Sequence, residues 1–206
     1  MVRVKICGIT NLRDAHFAAD AGADALGLIF AKSPRKVSRD VVRKIVCEIG
    51  PRVMSVGVFV DESVDRMLKT AEICALDAVQ LHGKESDGTI RRLQKDGYRV
   101  LKAVRAEKGI DLKKINESSA DALLFDASVS GRFGGTGQVF NWKLLKDRKM
   151  RLPWFVSGGL TADNVKKLLA FLDAYGVDVS SGVEKAPGQK NEKLVKGFIR
   201  NAKLAG

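Results

Sequence analysis

Gly176-Val177-Asp178-Val179-Ser180-Ser181-Gly182-Val183-Glu184 runs a short apolar, β-branched stretch straight into two hydroxyls and a glycine. The apolar half reads as a strand covered on both faces. In the polar half, small residues let the backbone approach a ligand closely. Turn amides and the Ser180 and Ser181 hydroxyls supply the donors that a phosphate needs. The segment stands near the C-terminal end of a chain in which strand and helix signals alternate, where one common barrel architecture keeps its phosphate site.

Working back from this stretch, seven more segments have the same character. They are VRVKICG (2–8), DALGLIF (24–30), MSVGVFV (54–60), DAVQLHG (77–83), YRVLKAV (98–104), DALLFDA (121–127) and PWFVSGG (153–159). Helical patterns lie between them, with capping residues in front and glycine behind. Thr10 or Asn11 opens one that ends at Gly22, Ser38 opens one that ends at Gly50, and Ser86 opens one that ends at Gly97. Thr161 precedes Val165, Leu168, Leu169 and Leu172, and Asn191 precedes Leu194, Val195, Phe198 and Ile199. The pattern is weaker over 109–117 and 141–149, which predicts short helices there. Eight strand–helix units in 206 residues predict a compact α/β fold, the closed (β/α)8 TIM barrel, as a single domain over 1–206. An open doubly wound sheet is the alternative, but no Gly-x-Gly-x-x-Gly follows the first strand.

Composition narrows the function classes. The chain is 45% hydrophobic and 29% charged, which suits a packed core. No apolar run approaches the ~20 residues of a membrane span. The N-terminus enters a strand directly and lacks the apolar core of a signal peptide, so a cytoplasmic location and no membrane partner are expected. Three cysteines at 7, 47 and 74 argue against a disulfide framework or a cysteine metal site, and Cys47 and Cys74 are expected to be core filler. The net charge of +12 raises nucleic-acid binding as a possibility. Its Lys and Arg residues are interleaved with Asp and Glu on nearly every helical segment, which favours a solvated surface.

The strand ends concentrate chemistry. Cys7 closes the first strand, and Lys32, Ser33 and Arg35 follow the second. Gln80 and His82 end the fourth, Asp126 the sixth, Ser157, Gly158 and Gly159 the seventh, and Asp178, Ser180, Ser181 and Gly182 the eighth. Strand alternation puts Arg3, Lys5 and Cys7 on one face, and closure of the barrel sets strand one beside strand eight. Lys5 is therefore expected beneath Cys7 and near Asp178, where its ammonium would favour the Cys7 thiolate. Each residue also has a plainer reading: Cys7 as packing, Asp126 as a turn cap, His82 as a satisfied strand-end group, Arg35 as surface charge. Their joint placement favours function. The glycines of 131–137 suit a closing loop, though an inert loop is also open, and no Gly-Lys-Ser/Thr makes them a P-loop. His16 and His82 stand far apart, so no metal site is expected. Lys102 on strand five is a weak candidate for a Schiff-base lysine.

These residues also carry a resemblance. VKICGIT (4–10), the Phe30-x-x-Ser33-Pro34-Arg35-x-Val37 segment, VQLHG (79–83), GGTG (134–137), SGGL (157–160) and DVSSGVE (178–184) are similar, in that order, to motifs of phosphoribosylanthranilate isomerase. At 140–142 the chain has Phe-Asn-Trp where that family has Phe-Asp-Trp; either residue caps a helix. The resemblance implies a cofactor-free, metal-free Amadori rearrangement of N-(5-phosphoribosyl)anthranilate in tryptophan biosynthesis. It implies Asp126 as general acid and Cys7 as general base. Arg35 would clamp the anthranilate carboxylate, with Gln80, His82 and Asp178 as further substrate contacts. Gly158, Gly159, Ser180, Ser181 and Gly182 would hold the phosphate. The expected partner is this small molecule, nucleic acid being disfavoured, and the expected assembly is a monomer or homodimer. Two alternatives stay open. One is another cofactor-free sugar-phosphate isomerase, for example one taking the related histidine-pathway aminoaldose. That substrate needs a second phosphate site at the ends of strands three and four, where only Gly83 stands out. The other is a basic nucleic-acid-binding protein.

Overall fold

The computed structural model describes residues 1–107, 109–126 and 142–205. Eight parallel strands pair in chain order, and the last closes on the first. They are β1 (Arg3–Cys7), β2 (Ala25–Ile29), β3 (Met54–Phe59), β4 (Ala78–Leu81), β5 (Arg99–Arg105), β6 (Ala122–Asp126), β7 (Trp154–Ser157) and β8 (Gly176–Val179). Seven fall inside their predicted segments, and β5 runs one residue past its own, to Arg105. A hairpin of β9 (Glu184–Ala186) and β10 (Gln189–Lys190), which the sequence does not announce, follows β8.

The helices are α1 (Leu12–Asp20), α2 (Arg39–Ile49), α3 (Val64–Ile73), α4 (Asp87–Lys95), α5 (Leu112–Asn116), α6 (Val165–Phe171) and α7 (Glu192–Lys203). Four begin as the sequence predicts. The side chains of Asn11, Ser38, Ser86 and Asn191 accept from the third backbone N–H beyond, at Asp14, Val41, Thr89 and Leu194. Thr161 does not open a helix: α6 starts at Val165. Asn164 takes over the preceding turn, accepting from Thr161 N at 2.8 Å and donating to Gly159 O at 2.9 Å. The region 141–149 yields a single tight turn at Trp142–Leu144. The glycine-rich stretch 131–137, Ala127 and Asn141 lie outside the described residues.

Most of the core lies between barrel and helices. On α2 the buried stripe is Val42, Ile45 and Ile49. Cys47 is two positions past Ile45, roughly 200° round the helix, and is exposed rather than core filler. Cys74 is buried as expected. Inside the barrel, Ala25, Val56 and Ala78 pack with Met54 at the N-terminal strand ends. Higher up, Gly27 stands opposite Cys7 in register. A Cβ there would lie 2.6 Å from Cys7 Sγ, so glycine makes the space that the thiol fills. Among the described residues, no helix is long and apolar enough to cross a membrane.

Candidate active site

An open cavity of roughly 830 Å3, solvent at its mouth included, sits at the C-terminal strand ends. Every site residue nominated from the sequence lines it: Cys7, Arg35, Gln80, His82, Asp126 and Asp178, together with Gly158, Gly159, Ser180, Ser181 and Gly182. Ile29, Val58 and Val60 add an apolar wall. The topology explains the convergence, because side chains from seven separate segments meet only when the barrel closes.

Beneath the cavity, Lys5 pairs in register with Asp178 across the β1–β8 seam. Lys5 Nζ lies 2.7 Å from Asp178 Oδ1, with the two side chains 1% and 8% exposed. Burial pulls the Lys5 ammonium down, but attraction to Asp178 and to Cys7 outweighs it, and its pKa lies above the usual lysine value. Arg3, on the same strand face, is instead solvent-exposed at the far end and paired with Asp24. Lys5 favours the Cys7 thiolate, as expected, but does not outweigh burial. Burial pushes the Cys7 thiol up, Lys5 and Lys190 pull it down, Asp178 opposes them, and the net displacement is upward. Lys5 limits the penalty of burial rather than reversing it. Because only the thiolate is alkylated, Cys7 in the empty enzyme should react with iodoacetamide more slowly at pH 7 than exposed Cys47. Its rate should rise with pH through a midpoint above the ordinary thiol value of about 8.5. A midpoint below that value, measured by peptide mass spectrometry, would contradict the burial argument.

Arg35 is braced. Its Nε donates to both carboxylate oxygens of Glu184 at 2.9 and 3.1 Å, and its Nη2 donates to Oε2 at 2.7 Å. Lys190, on the neighbouring strand of the hairpin, donates to the same carboxylate at 2.8 Å and to Ser180 O at 3.1 Å. Burial pushes the Glu184 carboxyl up, but Arg35 and Lys190 more than offset this and hold it below the usual carboxylate range. One edge of the guanidinium is thus spent on Glu184, leaving the Nη1 side for another acceptor. Glu184 and Lys190 escape the sequence reading: Glu184 sits inside a quoted motif, but nothing local says that it meets a residue 149 positions earlier.

On the facing side, Gln80 Nε2 lies 2.8 Å from His82 Nδ1, and His82 Nε2 lies 3.1 Å from Asp126 Oδ2. Ser157 Oγ donates to Asp126 Oδ1 at 3.0 Å. At the ends of β7 and β8 the backbone turns sharply, with positive φ at Gly158 and Gly159. A Cβ on Gly182 would fall 1.8 Å from Leu160 O, so these two turns touch through glycine. Ser180 Oγ is buried with no partner among the described residues.

The ends of β3 and β4 are already occupied. Glu85 accepts from Gly83 N at 3.0 and 3.1 Å and from Asp61 N at 2.9 Å. Lys102 Nζ donates to both Glu85 and Gly83 O at 2.7 Å, so its nitrogen is engaged there, and the residue does not line the cavity, which leaves the Schiff-base candidate unsupported.

Residues 4–201 match the family model described as N-(5'phosphoribosyl)anthranilate (PRA) isomerase. An N-(5'-phosphoribosyl)anthranilate isomerase of Magnetococcus marinus is 42% identical over 205 residues, covering 99% of this chain and 96% of the relative. The crystal structure of phosphoribosyl anthranilate isomerase from Thermotoga maritima superposes with a TM-score of 0.91 at 40% identity, covering 98% of this chain and 99% of that one. A second solved structure of such an enzyme, in complex with reduced 1-(o-carboxyphenylamino)-1-deoxyribulose 5-phosphate, has a TM-score of 0.86 at 40% identity, with coverage of 98% and 99%. With matches of this length in sequence and in fold alike, the chain belongs to the phosphoribosylanthranilate isomerase family.

Proposed function

We propose that Cys7 and Asp126 perform the family's Amadori rearrangement, converting N-(5-phosphoribosyl)anthranilate to 1-(2-carboxyphenylamino)-1-deoxyribulose 5-phosphate. The Asp126 carboxylic acid gives its proton to the ribose ring oxygen. The ring C–O bond breaks as the nitrogen lone pair forms a C1=N iminium. The Cys7 thiolate then removes the C2 proton. The freed electron pair becomes the C1=C2 bond of an enolamine and neutralises the nitrogen. Protonation at C1 and loss of the enol proton give the ketone. Electrons balance within the substrate, so the step needs no external oxidant or reductant.

The observation that carries this reading is the lining of one cavity by Cys7 and Asp126 together, with Arg35 and the two glycine–serine turns in the same wall. Lys5, close enough to couple with the sulfur, offsets its charge as the thiolate forms. The turns of β7 and β8 hold the phosphate through backbone amides and Ser180 Oγ. The open edge of Arg35 takes the anthranilate carboxylate, and Asp178 orients the ribose hydroxyls. The test follows the loss of anthranilate-type fluorescence. Cys7→Ser should lower kcat by about 10²–10⁴-fold. Full activity in that variant would remove Cys7 as the base, and no turnover by the parent would remove the function.

Glu184→Gln keeps the shape of the brace and deletes its charge. KM should rise by about 10-fold, the worth of one charged hydrogen bond, with kcat within about two-fold. An unchanged KM would mean that Arg35 does not depend on Glu184 to meet the substrate. The aminoaldose alternative gains no support, because the Gly83 N–H that a second phosphate would use is taken by Glu85. The proposed assembly is a monomer or homodimer, which light scattering reads directly.

A further inference from the structure

Gln80 and His82 stand two positions apart at the end of β4, and both line the cavity. Each is readily read as a substrate contact, yet their hydrogen bonds run to one another and then to Asp126. An amide nitrogen is only a donor. The 2.8 Å contact from Gln80 Nε2 therefore requires a bare His82 Nδ1. The proton of the neutral ring then sits on Nε2, 3.1 Å from Asp126 Oδ2. Gln80 is 1% exposed, so water does not compete for its amide. Ser157 serves the other Asp126 oxygen from β7, so each oxygen of the carboxyl group has its own donor.

We propose that Gln80 and His82 are positioning residues for the general acid: Gln80 sets the His82 tautomer, and His82 Nε2–H holds Asp126. This rests on Asp126 being the acid. The chemical gain is differential. Before proton transfer, His82 donates to a neutral carboxylic acid. Afterwards it donates to a carboxylate, and hydrogen bonds to an ionised acceptor are roughly twice as strong. An interaction that strengthens along the reaction lowers the barrier without tightening substrate binding. The polarity of the chain matters for this reason. With the proton on Nδ1, the bare Nε2 would accept from Asp126 and hold back the proton that the ring oxygen needs.

The chain has two histidines, so in a His16→Asn background ring-nitrogen NMR reports His82 alone. The expected spectrum near neutral pH shows an unprotonated Nδ1 and a protonated Nε2. Gln80→Glu is nearly isosteric but only accepts, so it should draw a proton onto Nδ1 and lower kcat about 10–100-fold, the worth of a charged hydrogen bond, with KM within about two-fold. His82→Ala should do the same to kcat. His82→Gln carries an N–H donor out to about the same reach and should restore most of it. A proton on Nδ1 in the parent, with Gln80 turned to accept it, would overturn the proposal. So would losses that appear in KM, which would make both residues substrate contacts. Full activity in Asp126→Asn would remove the acid assignment, and the His82 role with it, while leaving the tautomer as stated. The wrong tautomer beside an inactive Asp126→Asn would remove the His82 role alone.

Discussion

Asp126→Asn is expected to lower kcat by about 10²–10⁴-fold while KM moves only a few-fold. The substitution is nearly isosteric, and its carboxamide oxygen still accepts from Ser157 or His82, so the barrel and the cavity wall should remain. What disappears is a proton acidic enough to be given to the ribose ring oxygen. Without it the ring must open to an alkoxide, and Cys7 has no iminium to act on. On the proposed assignment, substrate binding falls to Arg35 and the turns of β7 and β8, which line the same cavity. Steady-state fluorescence assays of parent and variant, with circular dichroism to check the fold, separate the two effects. A variant with parental kcat would place the acid elsewhere.

Lys5→Met should be the most damaging single change to stability, at about 3–5 kcal/mol, because it leaves a buried carboxylate without its partner. Asp178 is 8% exposed at its side chain, and Lys5 Nζ, 2.7 Å away, is the cation that meets it. Methionine fills nearly the same volume, so the loss is electrostatic and not a cavity. The double variant Lys5→Met/Asp178→Leu removes both charges and should recover most of the stability, since a buried pair is often replaceable by apolar residues of similar size. Urea midpoints of the two single variants and the double variant make the thermodynamic cycle. A Lys5→Met single variant as stable as the parent would mean that the seam tolerates a lone charge. Activity should not return in the double variant, because Cys7 loses the ammonium that offsets its thiolate.

The strands were legible because a strand covered on both faces must be short, apolar and β-branched, and eight such runs leave little room for another topology. The cavity was legible for a related reason: polar residues that interrupt those runs do so at the strand ends, as with Gln80, Asp126 and Asp178. What stayed hidden depends on distance in three dimensions. Glu184 and Lys190 read as ordinary surface charges until the hairpin folds them against Arg35. Glu85 looks solvated in the sequence, yet it pairs with Lys102 of β5, the two side chains only 3% and 15% exposed. Cys47 was misread because it directly follows Ile45 and Val46 in sequence, although helix geometry turns it to the face opposite the buried stripe. Alternation reveals that Lys5 is near Cys7, but not how much water the barrel has removed, so the net rise of the thiol pKa stayed hidden.

The contact between Lys5 and Asp178 joins residues 173 positions apart, and that separation orders events in time. A chain emerging N-terminus first presents β1 long before β8 exists. Through that interval β1 is an open edge, its lysine is without a counter-ion and its cysteine stands beside an unbuilt wall. Contacts of such range are the last that a folding chain can afford, since the loop must close before they reward it. The pocket is complete only once β8 docks on β1, because residues of both strand ends line it. A half-made barrel has no partial version of this chemistry, and recovery of turnover during refolding is a clock for the closing of the ring.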